Sequence, residues 1–180
     1  LNDLSKSENG KWNILSLRYF NPIGAHHSGL LGEEPKGIPN NIFPLLLRSV
    51  VKKEKIYIFG KDWPTPDGTC IRDYIHIEDL AEGHIAALET LFFQQIGYLN
   101  VNLGTGRGTS ILELINLFEK VNDVKIDYEF SKRRAGDCPI LVADNTLATK
   151  KLKWNPKRDL ESMCKDGFKW MKSNSEIYFN

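Results

Sequence analysis

The chain has 180 residues, which suits one domain or a large part of one. Its 24 basic and 23 acidic side chains nearly cancel, which argues against a broad nucleic-acid surface. No apolar run approaches the roughly 20 residues that span a bilayer, nothing at the start reads as a secretory leader, and Cys70, Cys138 and Cys164 form no C-x-x-C, so the composition suits reduced thiols in a cytoplasmic protein.

The first residue is Leu1, not Met, and Leu1-Asn2-Asp3-Leu4 reads as the end of an amphipathic helix closed by the polar stretch 5–10. The expectation is therefore that the chain begins inside a longer protein. Residues 12–19 alternate apolar with small or polar side chains and predict a strand. Asn21-Pro22-Ile23-Gly24 should stop it, because proline and glycine break a ladder. A long loop, 25–39, follows, and loops of that length in compact domains are usually functional or disordered. Asn40 or Asn41 then caps a helix to about 53, with Pro44 tolerated in its first turn.

Residues 56–59 predict a short strand, 60–69 a second loop, and 70–76 another strand. A helix from 77 to about 94 should place Leu80, Ile85, Leu88 and Phe92 on one side. Residues 98–103 form a strand ended by Gly104-Thr105-Gly106-Arg107-Gly108, and Ser110 with Glu113 forms a capping box. The helix behind it carries Ile111, Leu114, Ile115, Phe118 and Val121 on one stripe. A strand at 125–130 leads to a basic loop, 131–139. Asp144 can cap a short helix to Leu152, and Asp159 can cap the last helix, with Met163, Phe168 and Met171 inward. Strands alternating with helices mean α/β.

Two arginine segments stand out for chemistry. Arg72-Asp73-Tyr74 leaves a glycine-containing loop, and Arg133-Arg134-Ala135-Gly136-Asp137 sets a cation and an anion three residues apart. Guanidinium forks suit a diphosphate, and a carboxylate suits a ribose diol. The competing reading for each is a surface ion pair, and Asn21 and Asn41 read locally as cap or turn residues. His26-His27, His76 and His84 lack zinc-site spacing and a carboxylate in register, and His76 is expected to order its corner with Asp73 or Asp79. The 104–108 glycines lack the G-x-G-x-x-G spacing and read as a strand-to-helix turn. Trp63, Trp154 and Trp170 read as core or rim.

Leu17-Arg18-Tyr19-Phe20-Asn21-Pro22-Ile23-Gly24-Ala25, then Gly37-Ile38-Pro39-Asn40-Asn41, then Phe59-Gly60 through Pro64-Thr65-Pro66-Asp67-Gly68-Thr69-Cys70-Ile71-Arg72-Asp73-Tyr74-Ile75-His76 resemble the UDP-glucose 4-epimerases, within the extended short-chain dehydrogenase/reductase superfamily. Arg133-Arg134-Ala135-Gly136-Asp137 and Asn102-Leu103-Gly104 fit the same pattern, so the resemblance covers nearly the whole chain. It implies an α/β carboxy-terminal, substrate-binding part of an NAD-binding, Rossmann-type epimerase, with the main cofactor-binding half absent from residues 1–180 and with the segments 12–24 and 70–104 packing on that half. It also implies interconversion of UDP-galactose and UDP-glucose by transient oxidation at sugar carbon 4, a homodimer at full length, and neither a nucleic-acid nor a membrane partner.

Position by position, the resemblance makes Asn21 a contact to sugar or phosphate, and Asn41 with the Ile42 backbone a pyrophosphate contact. Tyr57 and Phe59 become backbone partners of uracil, Arg72 and Arg134 the phosphate pair, and Asp137 the ribose ligand. Tyr19 and Phe20 would meet the nicotinamide end of NAD. Leu141 falls where relatives decide whether an N-acetyl group fits. The family's glycine fingerprint, catalytic serine and helix-borne Tyr-x-x-x-Lys pair are expected upstream of Leu1, so the chain alone is expected to be inactive. The alternatives are another NAD-dependent nucleotide-sugar epimerase or dehydratase, and a non-catalytic nucleotide-sugar-binding module.

Overall fold

The computed structural model describes residues 1–7, 11–37, 39–174 and 176, so Ile38 and part of the polar stretch 5–10 lie outside the described residues. The elements are α1 (Asn2–Ser7), β1 (Ile14–Tyr19), β2 (Asn21–Ile23), α2 (Ile42–Lys52), β3 (Ile56–Phe59), β4 (Ile71–Arg72), β5 (Tyr74–His76), α3 (Ile77–Phe93), β6 (Tyr98–Leu103), β7 (Thr109–Ser110), α4 (Ile111–Asn122), β8 (Tyr128–Ser131), β9 (Ile140–Leu141), a π-helical turn (Ala148–Leu152) and α5 (Leu160–Ser173). The fold is α/β. The strands pair as β1–β6, β2–β5 and β3–β8, all parallel, and as the three-stranded set β7–β4–β9.

Two expectations about the strands change. Residues 21–23 do not merely stop β1 but form β2, in register with β5. The Asn21 N–H donates to the Asp73 carbonyl at 3.0 Å. Amides alternate sides along a strand, so position 22 faces away from β5, where proline removes no ladder bond. The expected strand 70–76 is broken at Asp73. Arg72 belongs to the β7–β4–β9 set, where β4 runs antiparallel to β7 and parallel to β9, and Tyr74 belongs with β2.

The Asp73 carboxylate causes the break. It is fully buried and accepts hydrogen bonds from the N–H groups of Thr105, Gly106 and Ala143 at 2.8, 2.8 and 3.1 Å. A Cβ on Gly104 would lie 2.8 Å from an Asp73 oxygen and 2.5 Å from the Ala143 Cβ, so only glycine lets the turn close around the carboxylate. The 104–108 glycines are the strand-to-helix turn the sequence predicts, and two of their amides are spent on this side chain.

One core lies between α2, α4 and α5, where the Phe118 ring meets Phe43 and Phe168 edge-on at 6.0 and 5.8 Å. The other lies under α3, with Ile75, Val101, Leu103 and Trp154. Helix α4 has the predicted capping box and stripe, and Asp159 caps α5 through the Ser162 N–H. Helix α3 differs from expectation. It buries Leu80, Gly83, Ala87 and Thr90, while Ile85, Leu88 and Phe92 face outward, Phe92 at 81% exposure. Its narrow small-residue side packs on Leu103 and Trp154, so the bulky side has no room inward. No helix among the described residues is long and apolar enough to cross a membrane.

Candidate functional site

Strand β3 is paired on one edge only. The amides of Ile56 and Gly60 donate to the carbonyls of Asp127, just before β8, and Ser131, at its end. The intervening odd positions therefore turn the N–H and C=O of Tyr57 and Phe59 toward the opposite edge. That edge borders a cleft. Its other walls are the start of α2 (Asn40, Asn41, Ile42), Asn21 of β2, Arg72 of β4, and Arg134 and Asp137 of the 132–139 loop.

Five chain segments far apart in sequence thus bring Asn21, Asn41, Ile42, Tyr57, Phe59, Arg72, Arg134 and Asp137 to one cavity. Sequence reasoning missed Tyr74, Cys70, Leu45 and Ile111 in its floor. Alternation from Arg72 to Tyr74 across Asp73 was the signal for Tyr74. Leu141 is not among the lining residues. It is half exposed on β9, and its Cα pairs with that of Arg72. Tyr19 and Phe20 also lie outside the cleft. Tyr19 is exposed and its hydroxyl meets His84 Nε2 at 2.8 Å, while the Phe20 N–H donates to the Leu103 carbonyl.

The charges are arranged around Asp137. Arg134 Nε lies 3.1 Å from one of its oxygens and Arg72 Nη2 lies 3.8 Å from the other. The ion-pair reading of the Arg134–Asp137 spacing is therefore realised, and the pair lies on the cleft. Arg72 Nη1 donates to the carbonyls of Ile71 and Cys138, both at 2.9 Å, which holds the guanidinium against the floor. Arg134 lies over the Phe59 ring at 4.7 Å. Its neighbour Arg133 turns the other way, over Trp63 at 4.1 Å and onto Asp62 at 2.8 Å, and so ties the 132–139 loop to the 60–69 loop. Asp67 secures that loop in turn, since it accepts from the Thr69 N–H and from the Ser110 hydroxyl. Asn41 occupies the N-cap position of α2, but its side chain makes no cap bond, which leaves the amide group at the cleft. The cleft thus meets a helix N-terminus, whose first amides have no partner within the helix and attract anions. Burial pushes the Cys70 thiol above its usual range, so the floor carries a neutral thiol.

His76 has other partners than expected. Its Nδ1 accepts from the Glu78 N–H, so the proton sits on Nε2, 3.3 Å from Asp166. Asp73 is occupied as described, and Asp79 is taken by Arg158 and by the amides of Lys157 and Arg158. The structure also supplies the carboxylate that histidine spacing did not show. Glu78 Oε1 lies 2.9 Å from His27 Nδ1 and 3.3 Å from His26 Nε2. Arg158 Nε lies 3.0 Å from the other Glu78 oxygen, so this carboxylate already has a cationic partner.

The model of the NAD dependent epimerase/dehydratase family matches residues 4–104. The chain belongs to this family. Among similar epimerase-family proteins, it is 48% identical over 179 residues to the UDP-glucose 4-epimerase of Bacillus subtilis (strain 168), covering 99% of this chain and 52% of that protein. It is 46% identical over 182 residues to the UDP-glucose 4-epimerase of Drosophila melanogaster, covering 100% and 52%. A crystal structure of UDP-glucose 4-epimerase from Bifidobacterium longum in complex with NAD+ and UDP superposes with a TM-score of 0.91 at 41% identity, over 97% of this chain and 52% of that one. The enzyme from Stenotrophomonas maltophila with bound NAD and formylated UDP-arabinopyranose gives 0.92 at 42%, with the same coverage. The chain spans about half the length of the curated relatives it matches. Use of NAD is a property of the family. In the glycine turn after β6, the Thr105 and Gly106 amides donate to Asp73 and so are not free to cradle a phosphate.

Proposed function

We propose that this chain is the nucleotide-sugar-binding half of an NAD-dependent 4-epimerase that interconverts UDP-galactose and UDP-glucose. The observation that supports this most directly is the shared cleft, in which Arg72 and Arg134 flank Asp137 beside a free strand edge. A diphosphate lies between the two guanidinium groups, with the Asn41 amide and the Ile42 N–H at the helix start as further donors. The ribose diol donates to Asp137. Uracil presents N3–H beside a carbonyl oxygen, and the C=O of position 57 with the N–H of position 59 complements that pair through main chain alone. Asn21 reaches the sugar end of the cleft. Leu141, beside the strand position of Arg72, bears on the size of the sugar's N-acetyl substituent from outside the lining.

NAD supplies reversible oxidation at sugar carbon 4, and the residues in hand bind and orient the nucleotide sugar for it. Tyr19 and Phe20 meet the nicotinamide end at most by their exposed surface. The segments 12–24 and 70–104, which carry the outward Tyr19, Ile85, Leu88 and Phe92, pack on the cofactor-binding half, and the full-length protein is a homodimer. The test is conversion of UDP-galactose to UDP-glucose by the full-length protein supplied with NAD. Absence of turnover, with UDP still bound, replaces the reading by that of a binding module. Arg72→Ala and Arg134→Ala should each weaken UDP binding by about 1.5–3 kcal/mol, roughly ten- to a hundredfold by calorimetry. Unchanged affinity in both refutes the cleft assignment.

A further inference from the structure

We propose that the Tyr74 hydroxyl is a further ligand-binding group, donating a hydrogen bond to a phosphate oxygen of the nucleotide held by Arg72. The inference rests on the nucleotide-sugar reading of the cleft. Tyr74 is 3% exposed, and its ring forms part of the cleft floor beside Arg72 and Cys70. Tyr74 also borders a second, polar pocket with Arg107 and Asn145. Among the described residues, two buried side-chain polar atoms lack a hydrogen-bond partner, the Tyr74 hydroxyl and Glu78 Oε2. Glu78 Oε2 is compensated by the Arg158 guanidinium. The Tyr74 hydroxyl has no such compensation.

A buried hydroxyl without a partner gives up its water for nothing, and phenylalanine would fill the same volume without that loss. Tyr74 lines the cleft together with Arg72 and Cys70, so a ligand in the cleft is the acceptor at hand for its hydroxyl. Burial pushes its pKa up, so it is a donor at any working pH. A donor next to a guanidinium needs an acceptor, and the acceptor that suits both is an anionic oxygen. Arg72 spends its Nη1 on two backbone carbonyls, which fixes the guanidinium beside the cleft and leaves the rest of its fork to share an anion with the hydroxyl.

The test is Tyr74→Phe in the full-length protein, with UDP and uridine titrated by calorimetry and Tm measured alongside. UDP affinity should fall roughly tenfold, uridine affinity should hold within about twofold, and Tm should be unchanged or higher. Equal UDP affinity in variant and wild type overturns the inference. So does an equal loss for UDP and uridine, which places the contact on the nucleoside, and so does a lowered Tm with unchanged affinity, which means a partner within the protein. Wild-type protein that binds no UDP removes the reading of the cleft and this inference together.

Discussion

Asp73 sets two cleft residues at once. It lies between Arg72 and Tyr74 in sequence, and its buried carboxylate gathers amides from two segments about 30 and 70 positions further on. Asparagine at this position would turn an N–H₂ group onto groups that can only donate. Asp73→Asn should therefore cost about 2–4 kcal/mol in urea unfolding, more than a single neutral hydrogen bond, because the acceptor lost is charged and buried. UDP affinity should fall with it, since Arg72 and Tyr74 lose their shared hinge. A variant as stable as wild type would show that the turn closes without the carboxylate. The role was not legible in the sequence. Arg-Asp-Tyr reads as a strand with an ionic pair, and nothing local says that the acid faces inward while the arginine faces a cleft. Arg72, Arg134 and Asp137 were legible as candidates for one charged site, because residue type limits what such groups can bind, and the structure brings them to one cleft. His76 was assigned the wrong acids because Asp166 is 90 residues away and on another helix.

Element-scale signals survived where local periodicity or a cap carried them. The Ser110–Glu113 box, the α4 stripe and the Asp159 cap all form as the sequence predicts. The two-residue strands β4, β7 and β9 were beyond reach, because a period of two cannot be seen in two residues. The buried side of α3 was misjudged for the opposite reason. Large apolar residues at helical spacing define a face, but small ones allow closer packing, and here the close packing decided. The same logic governs α5 against α2. A Cβ on Gly167 would come 2.4 Å from the Phe43 ring. Alanine gains about 1 kcal/mol in helix propensity, whereas forcing apart a filled core costs about 1–3 kcal/mol. Gly167→Ala should therefore lower stability on thermal unfolding, and a raised Tm would mean that the Phe43 ring moves aside freely. Ser110→Ala should cost about 0.5–2 kcal/mol through the cap alone. It also removes the hydroxyl donor that fixes Asp67, so UDP affinity should drop along with Tm.

For the whole molecule, the distribution of buried ionisable groups sets the response to acid. His76 is fully buried at the joint of β5 and α3. Burial pulls its pKa below the ordinary value of 6.5, although the hydrogen bond and charge of Asp166 push the other way and Arg158 adds to the depression. The unfolded chain therefore takes up this proton before the folded one does. Stability rises with pH wherever the unfolded state binds more protons, so the contribution of neutral His76 is complete above about 6.5 and declines as pH falls below it. The paired carboxylates act later. Lys157 and Arg158 hold Glu82 below its ordinary 4.5, and the Ser162 amide and hydroxyl hold Asp159 below 3.8. Their contributions are full above those values and are lost as pH drops through the still lower folded pKa. Denaturant midpoints measured from pH 8 to pH 4 should thus begin to decline as pH falls below about 6.5. His76→Gln should be less stable than wild type at pH 8, having lost the shaped cap of α3, yet show a flatter profile in that window. An equally steep decline in the variant would assign the early acid response to other histidines and would leave His76 as a packing residue with no part in titration.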